Sequence, residues 1–278
     1  MKKIVLGLVI IAFIALIVFL VKGAVIRAED ENVSIVNKVI DEEKVLDGSN
    51  INDIEINCYN VNVNLIPEDD NKIRAHISGN IPVKGSGQAY SLLVSSSEGK
   101  ASIEVKWDKT ITVALMKSQQ LDIYIPKEYD KSIGIDASNG TVNAGDFNLQ
   151  NFNAKVTSGD IDTDLLKAEN TNVKSTSGYI KLNGFDGNLT AKSSSGSIDV
   201  QCQSFDNALN LQSTSGDLGL SLPKDAEFYL KAKSSSGKVN CGFSIKVKES
   251  GKNKLEGTAG DGRNEIVMET HSGDINIQ

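Results

Sequence analysis

Thr157-Ser158-Gly159-Asp160-Ile161 is a small polar pair, a glycine and, two residues after it, an aliphatic. The pattern stands earlier at Ser138-Asn139-Gly140-Thr141-Val142 and later at Thr176-Ser177-Gly178-Tyr179-Ile180. It recurs at Ser194-Ser195-Gly196-Ser197-Ile198, Thr214-Ser215-Gly216-Asp217-Leu218, Ser235-Ser236-Gly237-Lys238-Val239 and His271-Ser272-Gly273-Asp274-Ile275. Successive glycines are 19, 19, 18, 20, 21 and 36 residues apart, so the last step spans two periods. A repeat of this length decides the architecture before any local propensity does.

Residues alternate on both sides of each glycine. Five before it stand Ile135, Ala154, Val173, Ala191, Leu211, Ala232 and Met268, and the intervening positions are mostly Lys, Asn, Asp, Thr and Ser. Alternation of period two gives each strand one buried and one wet face. The spacing predicts an all-β chain, a parallel β-solenoid (β-helix) of about seven regular 18–21-residue repeats. Each coil buries its inward residues against their equivalents about 4.8 Å away. Gly140, Gly159, Gly178, Gly196, Gly216, Gly237 and Gly273 are structural corner residues, where the chain needs either φ > 0 or close backbone approach.

This architecture accounts for a composition of one Trp, six Tyr and eight Phe in 278 residues. A core of aliphatic and hydroxyl ladders buries area by repetition and needs few rings. Phe147, Phe185, Phe205 and Phe243 follow the second strand of their repeats and are expected to plug the third side of the coil. Cys241 falls in an inward slot and Cys202 shares its parity. Two coils apart, about 9–10 Å, they are too distant for a disulfide and are expected as buried free thiols.

The regular solenoid covers 131–278, with a Gly-rich insertion at 244–264 that reads as a hairpin before the last coil. Residues 48–130 alternate less regularly and are expected to form the N-terminal coils and a cap. Gln278 follows inward Ile277 directly. The solenoid end is therefore expected to be covered by 244–264 or by a second molecule.

Ile4 to Val21 form 18 apolar residues without a charge, preceded by Lys2 and Lys3. That is roughly 27 Å of helix, enough to cross a bilayer core. The run is longer than the apolar part of a secretory leader, and Lys22 or Ile26 would sit at −3 of the two available cuts. No cysteine follows directly for a lipid anchor. Residues 1–28 read as an uncleaved single-pass anchor, N-terminus cytoplasmic and the rest of the chain extracytoplasmic. Residues 29–47 read as a juxtamembrane stalk or short helix.

The chain carries 29 basic and 36 acidic residues, a net charge of −7. Four of the basic residues and none of the acids lie in 1–28, so the exported part is more acidic still. That balance excludes a dedicated nucleic-acid binder. An enzyme on this fold would need clustered acids with an Arg or His partner. Asp160, Asp162 and Asp164 alternate onto one outer face, but Leu165 and Thr171 stand where a calcium loop needs Gly and Glu. A charge ladder, with Lys181 and Asp199 in the next coils, is the simpler reading. The arginines are Arg27, Arg74 and Arg263. His76 and His271 show no partner acid in the sequence, and a structural or surface role is expected for each. No basic stripe or exposed aromatic row suggests nucleic acid or a sugar platform. No catalytic, cofactor-binding or metal-binding residue is assigned.

The Ser-Gly-Asp-Ile corners, the Leu121-Asp122-Ile123-Tyr124-Ile125-Pro126 strand before the first regular repeat, and the Gly260–Ile277 closing segment resemble a bacterial β-strand-repeat family. It is a family of unknown function labelled "putative adhesin", and the likeness covers roughly 50–278. The resemblance implies a β-helix, commonly exported or membrane-anchored, without catalytic residues to carry over. The expected function is a non-enzymatic, membrane-anchored scaffold for adhesion or for binding an envelope protein or wall polymer. The alternatives are an accessory regulator of a cell-envelope stress-sensing system and a polysaccharide lyase or hydrolase. The oligomeric state is left open.

Overall fold

Alternation becomes stacking at the Gly159 corner. Phe152, Ala154 and Val156 point inward before it, Ile161 and Thr163 after it, and all are buried. The strands Phe147–Ser158 and Ile161–Asp164 pair in parallel with their repeats 19 residues on, Phe152 opposite Thr171 and Ile161 opposite Ile180. The computed structural model describes residues 35–84, 90–107 and 119–278. Those residues are all-β, a solenoid-like stack in which the strands before the corners form one sheet and those after them a second. No helix among them is long and apolar enough to cross a membrane, and the expected anchor at 4–21 lies outside the described residues.

Nine coils can be numbered along the stack. Coil 1 is Lys100–Trp107 with Gln119–Pro126, coil 2 is Asp53–Cys58 with Val61–Glu68, and coil 3 is Ser132–Asn139 with Val142–Ala144. Coils 4, 5, 6 and 7 turn at Gly159, Gly178, Gly196 and Gly216 and follow in chain order. Eight steps of ~4.8 Å make the stack roughly 38 Å long.

Chain order and spatial order part company at both ends. Coil 2 precedes coil 1 in the chain yet lies between coils 1 and 3. At the other end, Asn264–Ser272 and Ile275–Ile277, turning at Gly273, pair on one side with coil 7. On the other side they pair with Phe228–Ser234 and Val239–Cys241, which turn at Gly237. The Gly273 repeat is therefore coil 8 and the Gly237 repeat coil 9. This corrects the expectation that the last repeat ends the stack. The chain skips one slot, builds coil 9, and returns to fill the gap. Gln278 lies inside the stack, its N–H donating to Leu220 O at 2.9 Å.

Antiparallel strands close the ends. Lys254–Ala259 pairs with the outer strand of coil 9, and Lys246–Ser250 pairs with it in turn, so the hairpin within 244–264 covers that edge. On coil 1, Tyr90–Ser97 covers the first sheet and Lys72–Lys84 the second. Ile35–Asp47 is a strand on Lys72–Lys84, not the stalk or short helix expected over 29–47. The antiparallel strands cover both sheets at coil 1 and the first sheet at coil 9, edges that a stack of coils would otherwise present.

Phe147 and Phe185 are buried on the third side, whereas Phe205 and Phe243 are half-buried against Phe228 of coil 9, at centroid distances of 6.3 and 5.2 Å. Cys58, Cys202 and Cys241 are free. Cys202 and Cys241 stand three coils apart, roughly 14 Å, because coil 8 is interposed; Cys241 is half-buried rather than buried. Burial pushes the Cys58 and Cys202 thiols up to about 12. Half-burial raises the Cys241 thiol as well, so at pH 8 the native protein should lose this thiol to iodoacetamide slowly and the other two only on unfolding. Mass mapping of the alkylated sites checks this; equal labelling at all three would contradict the burial.

Candidate functional site

The corner glycines are set by their neighbours in the stack. A Cβ on Gly159 would stand 2.1 Å from Gly140 O, one on Gly178 2.1 Å from Gly159 O, and one on Gly196 2.0 Å from Gly178 O. Gly178 has φ +140°, but Gly196 lies outside the left-handed region and is equally crowded. Close approach of successive coils, more than φ, demands glycine here.

The residues flanking each glycine tie one coil to the next. Inside, Ser213 Oγ, Thr270 Oγ1 and Ser234 Oγ donate to the corner carbonyls of Gly196, Gly216 and Gly273 at 3.1, 2.9 and 2.8 Å. Outside, Asp160 Oδ1 accepts from Tyr179 N–H at 2.7 Å, Asp217 from Asp274 N–H at 2.7 Å, and Asp274 from Lys238 N–H at 2.8 Å. The Ser-Gly-Asp corner is thus a clamp between coils, and its aspartate is occupied by backbone.

Asp160, Asp162 and Asp164 do share one outer face, that of the second sheet. Asp164 accepts from Asn183 at 3.0 Å, and Asp162 lies in register between Asn143 and Lys181, with Asp199 one coil further. Among the described residues no group of three His, Cys, Asp or Glu side chains is arranged to hold a metal ion.

His76 and Arg74 both meet acids in the fold: Asp41 and Glu43 lie on the cap strand Ile35–Asp47, and Glu68, which holds Arg74 most closely, ends the strand Val61–Glu68. His76 Nε2 is 2.7 Å from Asp41 Oδ1. Arg74 is held by both oxygens of Glu68, with Nη2–Oε1 at 2.6 Å, and contacts Glu43 at 3.4 Å; its guanidinium lies 4.2 Å from the Tyr124 ring centroid. Glu68 raises the Arg74 pKa further. A guanidinium already held by a carboxylate and stacked on a ring fastens the cap and is not open to a substrate. Arg263 pairs locally with Asp261, and His271 is exposed beside Thr214 and Ser235.

The first sheet carries what the repeat-by-repeat reading missed. Four residues before the glycines, Lys155, Lys174 and Lys192 stand in register on three adjacent coils, all exposed. This is a basic stripe, contrary to expectation. Asp136 pairs with Lys155 at 2.9 Å, but Lys174 and Lys192 have no ion-pair partner among the described residues. Like charges in register cost stability rather than adding it. The stripe continues through Gln212 and Glu269 to Lys233. Two adjoining open depressions, about 610 and 590 Å³, run over this face, and Lys174 and Lys192 line both. One flank carries Thr176, Ser194 and Thr214, the other Asn172, Thr190 and Asn210. The signal was present in the sequence as Lys at one fixed offset from glycine, but it needs the coil register to become a surface.

The chain belongs to the Toastrack DUF4097 family, whose model matches residues 51–162 and again 135–278. Among solved structures, a "putative cell adhesion protein" of Clostridium sporogenes is 16% identical with a TM-score of 0.44, over 86% of this chain and 99% of its own. A "putative adhesin" of Bacteroides fragilis is 12% identical with a TM-score of 0.47, over 87% of this chain and 97% of its own. A "putative lipid binding protein" of Parabacteroides distasonis is 11% identical with a TM-score of 0.29, over 86% and 97%. No curated protein matches.

Proposed function

We propose that this Toastrack protein is a membrane-anchored extracytoplasmic scaffold, non-enzymatic, that presents a rigid face for adhesion or for docking an envelope component. Residues 4–21 cross the membrane once and Lys2 and Lys3 stay in the cytoplasm. The observation that carries the reading is the pair of continuous outer faces on one stack. The second sheet displays Asp160, Asp162, Asp199 and Asp217, and the first displays the Lys155–Lys192 stripe. Such faces present an outward side chain at every coil and suit an extended partner better than a single small molecule. Asp160 and Asp217 are spent on coil-to-coil contacts, which favours structure over catalysis at those two.

Protease added to intact cells or protoplasts expressing the full chain should digest the solenoid and leave a membrane-retained N-terminal fragment. Recovery of the protein intact inside the cell, or shed into the medium, would contradict the anchor. Incubation with polygalacturonate should release no oligosaccharides. Release that Asp160→Ala, Asp162→Ala and Asp164→Ala together abolish would show a lyase or hydrolase instead.

A further inference from the structure

We infer that the trough on the first sheet binds a linear acidic polymer with a hydroxyl-rich backbone, either an acidic polysaccharide or a polyol phosphate. The inference names the ligand class for the face described above and rests on that face lying outside the membrane. Four features point to it. Lys174 and Lys192 are stacked, exposed and unneutralised, with Lys155 one coil away. Some exposed lysines elsewhere meet an acid on a neighbouring strand, as Lys231 meets Glu265 and Lys248 meets Glu256, both at 2.7 Å. Lys174 and Lys192 do not, and these two line both depressions.

The flanks supply the second feature. Hydroxyls on one side, and a hydroxyl and amide N–H groups on the other, can bond sugar or glycerol hydroxyls, the Oδ1 atoms of Asn172 and Asn210 being buried. The third is repetition: cationic groups rise by ~4.8 Å per coil, so successive anions of one extended strand can be met in turn. The fourth argues against a lipid surface. The large exposed apolar side chains Leu165, Tyr179 and Val247 do not line the trough, and a concave polar face has nothing to insert into a bilayer.

The test measures binding of the full chain, in a non-ionic detergent, to polygalacturonate, to poly(glycerol phosphate), to neutral dextran, and to vesicles of 70% phosphatidylcholine and 30% phosphatidylglycerol. Calorimetry at 50 and 300 mM NaCl should show binding to one or both acidic polymers, weakened by salt, and none to dextran. Whichever polymer binds identifies carboxylate or phosphate as the anion. Lys174→Gln with Lys192→Gln should weaken that binding at least tenfold, while Lys181→Gln on the opposite face should leave it unchanged. All three positions are exposed, so melting temperatures should stay at or above the parent value. Unaltered affinity in the double variant, equal binding to dextran, binding to vesicles alone, or no binding at 50 mM NaCl would each overturn the inference. None of these readouts depends on where the cell puts the protein, so a failure of the anchor leaves this result standing, and the reverse.

Discussion

Deletion of residues 264–278 is expected to unfold the chain well beyond the deleted segment. That segment is coil 8, and it joins coil 7 to coil 9 in both sheets. Its inward Ile266, Met268, Ile275 and Ile277 are 0–2% exposed. Burying four such side chains is worth roughly 6–12 kcal/mol as an upper bound. Without them, the apolar ladders of coils 7 and 9 face an empty slot, and coil 9 with its hairpin loses its strand pairing to the stack. Limited proteolysis should then cut rapidly within 228–263, and hydrogen exchange there should approach the unfolded rate. Were the repeats stacked in chain order, the same deletion would remove only a terminal coil and leave 228–263 protected.

The second large effect is Gly178→Val. The new Cβ would stand 2.1 Å from Gly159 O and 2.6 Å from Gly159 C, both backbone atoms of the adjoining coil. Neither can rotate away, and valine is also strained at φ +140°. A loss of roughly 4 kcal/mol is expected, near the top of the range for single substitutions, lowering Tm by roughly 8–16 °C. Gly196→Ala separates the two causes. It carries no left-handed φ but the same crowding, 2.0 Å from Gly178 O, and should also destabilise markedly. Gly251→Val, with nothing within 4 Å, should change little. An unchanged Tm for Gly196→Ala would mean that φ alone governs the corners.

The corners, the inward ladders and the all-β stack were legible because they are written locally, in the two residues before each glycine and the alternation around it. Stacking order was not. Ile266 and Met268 suit a slot beside Leu209 and Leu211 as well as one beside Leu230 and Ala232, and alternation says nothing about which coil neighbours which. The 36-residue step marked an interruption without revealing a return. The cap strand Ile35–Asp47 was misread because its mixed apolar and acidic residues have neither a clear period nor a turn signal. Asp41, the partner of His76, and Glu43, the more distant partner of Arg74, lie on that strand and were lost with it; Glu68 meets Arg74 across a turn that alternation does not show. The lysine stripe lay between these cases: each Lys stood at a visible offset, but the stripe exists only once coils 4, 5 and 6 are in register.

Stacking order also sets where the stripe stops. With coil 8 interposed, Lys192 is followed by Gln212 and then Glu269, and Lys233 lies beyond an acid. In chain order Lys233 would adjoin Gln212 and lengthen the basic run. The most direct measurement is therefore disulfide trapping at Gln212. In Gln212→Cys with Glu269→Cys the two Cα atoms lie on adjacent coils, about 4.8 Å apart and within bridging range. In Gln212→Cys with Lys233→Cys they lie two coils apart, about 10 Å. Mild oxidation followed by peptide mapping should give the 212–269 bridge and no 212–233 bridge. A 212–233 bridge without the 212–269 bridge would contradict both the intercalated coil and the extent of the trough drawn from it.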